Sequence, residues 1–109
     1  MTIVTKLAPT GAALLVFLVA TRVFTADPTT VNIDNFVFQP AQITVKAGTK
    51  ITFINRDDLP HSVIDVKGAF RSKALDTDDS FTQSFDKPGE IDYFCGLHPQ
   101  MKGKIIVTP

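Results

Sequence analysis

From Thr30 onward, apolar and polar residues alternate in short runs, with Ile43/Val45, Ile51/Phe53 and Phe81/Gln83/Phe85 on every second position. A period of two places these side chains on one face of a pleated strand. Strands are therefore expected near Val31–Phe38, Gln42–Lys46, Lys50–Asn55, His61–Val66, Ser80–Phe85, Ile91–Cys95 and Lys104–Thr108. No helical period of useful length interrupts them, so the reading is all-β, with two layers of strands forming a sandwich.

The breaks between the runs have local causes. Ala47-Gly48-Thr49 can turn through the permissive dihedrals of glycine, and in Lys87-Pro88-Gly89 the proline fixes φ before the glycine. Each is expected to join antiparallel strands. Pro40 lacks an N–H and suits a kink at a sheet edge. The stretch from Lys67 to Asp79 carries Gly68, Arg71, Lys73, Asp76, Asp78 and Asp79 and reads as a solvated loop or a short helical excursion.

The first 26 residues break the pattern. Lys6 precedes an apolar run from Leu7 to Ala20, which is the charged-then-apolar order of a secretory signal peptide. A spanning helix needs about 20 apolar residues, so this run is short for one. Residues 1–26 are expected to be a signal peptide and residues 27–109 a single domain, although bulky Phe24 near the cut leaves a retained membrane anchor as the alternative. The whole chain has 11 basic and 11 acidic residues; without Lys6 and Arg22 the domain keeps nine against eleven, a net charge of −2. That balance gives no electrostatic basis for binding nucleic acid.

Export changes the meaning of the single cysteine. Cys95 has no partner for a disulfide within the chain, and a free thiol in an oxidising compartment must be buried, paired elsewhere or used. The stretch Tyr93-Phe94-Cys95-Gly96-Leu97-His98-Pro99-Gln100-Met101 puts a thiol, an imidazole and a thioether within seven residues. A metal cycling between Cu(I) and Cu(II) needs donors acceptable to both states, namely soft sulfur, imidazole and a weak thioether. His61 is the one other histidine that can complete the set, and it opens an expected strand after the turn Arg56–Pro60. The candidate metal residues are His61, Cys95, His98 and Met101. A zinc site is a competing use of cysteine and histidine. A cysteine hydrolase is a poor one, because Cys95 and His98 share a tight loop with no evident orienting group.

These residues resemble the cupredoxins, the blue-copper family, with amicyanin the nearest type and plastocyanin and pseudoazurin more distant. The resemblance covers essentially everything after residue 30. It rests on Phe53-Ile54-Asn55-Arg56-Asp57 leading into Leu59-Pro60-His61, on Pro88-Gly89 and Tyr93-Phe94-Cys95, and on His98-Pro99-Gln100-Met101-Lys102-Gly103. It implies a Greek-key sandwich of seven to eight strands holding one copper ion, trigonal through His61, Cys95 and His98 with a longer contact to Met101. The implied function is electron transfer between redox proteins that dock transiently near His98. The protein would be an exported monomer and not an enzyme. A non-redox copper-delivery protein is the alternative.

Two departures from the family pattern matter. Ser62 stands where an asparagine usually ties the ligand loops together, which puts the rigidity of the site in question. Leu97 replaces a proline before the second histidine and restores an N–H; donated to the Cys95 sulfur, it would favour Cu(I) and raise the potential. Phe36, Phe38, Phe53, Phe81, Phe85 and Phe94 are expected in the core, with Phe70 and Phe94 also candidates for the apolar surroundings of the metal. Leu59, Pro60, Leu97 and Pro99 are expected to ring its pole.

Overall fold

The computed structural model describes residues 29–109, so the expected signal segment lies outside the described residues. One sheet contains β1 (Thr30–Asp34), β2 (Val37–Gln39), β4 (Thr49–Asn55) and β6 (Ser80–Phe85), in the order β2-β1-β4-β6. The other contains β3 (Gln42–Lys46), β5 (Ile64–Asp65), β7 (Gly89–Phe94) and β8 (Lys102–Thr108), in the order β3-β8-β7-β5. No helix of the described residues is long and apolar enough to cross a membrane.

The period of two is realised as burial. Val31 and Ile33, Ile43 and Val45, Ile51 and Phe53, and Ile105 and Val107 all point inward from their strands. Tyr93 crosses the gap between the sheets, its ring in T-shaped contact with Phe38 at 4.7 Å and Phe53 at 5.4 Å between centroids. The ladder sets Gly103 opposite Tyr93, and any Cβ there would enter the tyrosine ring. Glycine at this position makes the packing of the largest buried side chain possible.

Three expectations about the strands are corrected. The run Val31–Phe38 is not one strand: it folds into a hairpin, with Asp34 paired to Val37 across Asn35 and Phe36. His61–Val66 is a strand only at Ile64–Asp65, because the backbone of His61 pairs instead with Leu75 in an isolated bridge. The turns at Gly48 and Pro88 do not join antiparallel neighbours; each passes the chain from one sheet to the other. Two of the strand pairs, β1 with β4 and β3 with β8, are therefore parallel, as crossover connections permit. Pro40, between β2 and β3, connects two edge strands, where its missing N–H interrupts no central ladder.

Candidate metal centre

The antiparallel pair β5–β7 creates the site. Its register sets Ile64 opposite Phe94, so the residues just before β5 meet those just after β7 at one end of the sandwich. His61 and Cys95, 34 positions apart in the chain, arrive at the same pole with both side chains fully buried. His98 follows three residues after Cys95 on the same loop and is half-buried. The Cys95 Sγ lies 3.6 Å from His61 Nδ1 and 3.8 Å from His98 Nδ1. One donor atom from each of the three falls within 4.8 Å of the others. Metal bonds of about 2.0 to 2.3 Å to nitrogen and sulfur separate neighbouring donors by about 3.5 Å, so these spacings fit a common ion.

The loop carrying His61 is shaped by residues outside it. Asn55, at the inward end of β4 and fully buried, donates from Nδ2 to the carbonyls of Leu59 at 2.9 Å and Leu75 at 2.8 Å. Its Oδ1 accepts from the Asp57 amide at 2.9 Å. The His61 backbone exchanges two hydrogen bonds with Leu75, at 3.1 and 2.7 Å. Leu75 is itself buried, so the stretch from Lys67 to Asp79 is a solvated loop only in part; it supplies a rail for the first histidine.

The histidine's orientation comes from Asp57. Asp57 Oδ2 lies 2.9 Å from His61 Nε2, which leaves Nδ1 as the nitrogen facing the thiol. This bond is the main cause holding the Asp57 carboxyl below the usual carboxylate range, with help from the amides of Phe36 and Asp58. A carboxylate accepting from the outer nitrogen fixes the tautomer and strengthens the imidazole as a donor.

The second loop is short and closes on itself. The His98 amide donates to the Cys95 carbonyl at 3.2 Å, the Met101 amide to His98 at 2.9 Å and the Cys95 amide to Met101 at 3.1 Å. Met101 is buried at the base of this loop, in keeping with either packing or an axial thioether. Ser62 ties the two loops: its Oγ accepts from the Gly96 amide at 2.8 Å, and its own amide donates to Cys95 Sγ at 3.3 Å. The shorter side chain at this position therefore still provides the link. The sulfur's backbone donor is Ser62, and the Leu97 amide makes no such bond, contrary to expectation.

Two aromatic assignments also change. Phe36 is 42% exposed and lies over the histidines instead of in the core. Phe70 packs against Phe81 and Phe85, away from the site, whereas Phe94 is half-buried beside it. Leu59, Pro60, Leu97 and Pro99 are exposed, as a pole-ringing position requires. In the sequence reading Asn55 and Asp57 entered within the stretch that carries the family resemblance, with no role of their own, and Leu75 was not named. The aspartate four positions before His61 was the available signal, but without coordinates it is one acid among eleven.

A cupredoxin-like domain model matches residues 8–107. The chain belongs to the cupredoxin family. This cupredoxin is 36% identical over 87 residues to amicyanin of Paracoccus versutus, a match covering 75% of the chain and 66% of that protein. It is 38% identical over 84 residues to chloroplastic plastocyanin of Tetradesmus obliquus, covering 65% of the chain and 58% of the relative. The chain thus spans about two thirds or less of these relatives' length. A purple cupredoxin from Nitrosopumilus maritimus superposes with a TM-score of 0.70 at 28% identity, over 73% of this chain and 99% of that one. The donor set of this cupredoxin, a buried thiol with one buried and one half-buried imidazole, suits copper in both of its common oxidation states.

Proposed function

We propose that this cupredoxin is an exported one-electron carrier, with copper held by His61, Cys95 and His98 and more loosely by Met101. The observation that carries the reading is the convergence of a fully buried thiol and two imidazole nitrogens, with one of the imidazoles reaching toward the surface. Copper, when bound, supplies a Cu(I)/Cu(II) couple whose two states share these donors.

The chain's own residues do the rest. Asn55, Leu75 and Asp57 hold His61 in one orientation, and the self-bonded loop holds His98, so the donors keep their places through a change of charge. Little rearrangement means a low barrier. The Ser62 amide withdraws charge from the sulfur, which favours the reduced state. His98 is the less buried imidazole and is the exit for the electron, with exposed Leu59 and Leu97 offering apolar ground for transient docking of a redox partner. No substrate is transformed. Residues 1–26 are proposed as the export signal, and the domain works as a monomer.

Copper-loaded protein is expected to show an intense visible charge-transfer band, a type 1 paramagnetic-resonance spectrum and reversible one-electron voltammetry. Cys95→Ser is expected to abolish all three. Colourless, redox-silent protein that still retains copper would instead place the chain among copper-delivery proteins, and preferential retention of zinc would make the site structural.

A further inference from the structure

The turn between β1 and β2 is built against its own sequence. Asn35 and Phe36 both have positive φ, 53° and 62°, which are the signs a two-residue hairpin of the primed type requires. Asparagine adopts this region readily, but the second position favours glycine, and a bulky aromatic there is an outlier. Burial does not explain the choice, because the ring is 42% exposed. Strain of this kind persists where surrounding structure holds it and gathers at functional sites.

What holds Phe36 is the residue that also orients His61. Asp57 Oδ2 accepts from the Phe36 amide at 3.1 Å and lies 2.9 Å from His61 Nε2. The Phe36 ring stands perpendicular to both imidazoles, with centroids 5.5 Å from His61 at 89° and 5.1 Å from His98 at 88°. The two imidazoles are themselves 4.9 Å apart, so three rings meet in one cluster. The other Asp57 oxygen accepts from the Asp58 amide at 3.0 Å, which occupies both ends of the carboxylate.

We propose that Asp57 and Phe36 form a latch over the metal centre: a single carboxylate oxygen positions His61 and pins a strained turn, whose aromatic ring shields both imidazoles from solvent. Phe36 and Asp57 are positioning residues; neither offers a donor to the metal. The latch depends on the copper reading for its role but not for its existence, since its contacts are made by the chain alone. It trades ease of folding at the turn for retention of the ion.

The test compares wild type with Phe36→Gly, Phe36→Leu and Asp57→Asn. In metal-free protein, nitrogen NMR is expected to show His61 with its proton fixed on Nε2, and Asp57→Asn to release it into a mixture of tautomers. Phe36→Gly, which suits the left-handed turn, is expected to leave thermal stability of the metal-free protein unchanged or higher. Copper transfer from the same variant to a chelator is expected to be faster by about tenfold or more, the scale of losses on removing supports of a metal ligand. Phe36→Leu is expected to fall between. Asp57→Asn is expected to speed release and shift the reduction potential upward, because an anionic acceptor behind His61 favours Cu(II). Chelator transfer at the wild-type rate in Phe36→Gly would overturn the latch, as would a His61 tautomer indifferent to Asp57. A wild-type protein that shows the fixed tautomer but never turns coloured with copper would sink the electron-transfer reading and leave the latch standing.

Discussion

The loop from Arg56 to His61 carries one donor and borrows its shape, whereas the loop from Cys95 to Met101 carries the remaining candidate donors and largely makes its own. In the first, a buried asparagine from β4, an isolated bridge to Leu75 and a carboxylate bonded to the imidazole fix a segment with little regular structure. In the second, three amide-to-carbonyl bonds among Cys95, His98 and Met101 suffice, because tight spacing lets the backbone close on itself. A donor that must arrive from far along the chain needs external scaffolding. Donors that are neighbours in sequence need a turn.

If that contrast is right, the largest effect should come from the scaffold of the first loop. Asn55→Ala removes all three hydrogen bonds of a fully buried side chain: those to the Leu59 carbonyl, to the Leu75 carbonyl, which keeps its bond from the His61 amide, and from the Asp57 amide. At about 1 kcal/mol for each hydrogen bond lost, the loss is about 3 kcal/mol. For a domain of this size that lowers the unfolding temperature of the metal-free protein by more than about 10 °C, readable by calorimetry. A drop of a degree or two would mean that the first loop holds itself.

A smaller effect is expected where the loops touch. A Cβ on Gly96 would stand 2.5 Å from Ile64 Cδ1 and 3.0 Å from Ser62 Oγ. The isoleucine tip can rotate away, but the serine bond to the Gly96 amide is part of the tie between the loops. Gly96→Ala is expected to cost about 1 kcal/mol. Denaturant titration would measure it, and an unchanged midpoint would show the tie to be slack.

The smallest effect is expected inside the second loop. The amide of Leu97 makes no bond to the sulfur, so Leu97→Pro removes nothing that the metal senses. Visible spectrum and voltammetric potential should both match the wild type. A clear fall in potential would assign the Leu97 amide, beside that of Ser62, to the thiolate.

The sequence alone determined the sandwich and most of the chemistry, because both are written at short range. Alternation of Ile51 with Phe53 or Ile43 with Val45 fixes which face is buried whatever the partner strand, and the spacing of Cys95, His98 and Met101 puts three donor types in one turn. His61 was legible by elimination, since the chain has only two histidines. Tertiary structure decided everything that depends on two segments meeting. The β1–β2 hairpin took Phe36 out of the core because its pairing register puts the turn there, and the crossings at Gly48 and Pro88 made parallel pairs that no local turn signal specifies. The roles of Asn55, Asp57, Ser62 and Leu75 are hydrogen bonds between segments distant in the chain or shaped by the fold. A hydrogen bond acts over about 3 Å, and the order of residues along a chain does not report which of them will come that close.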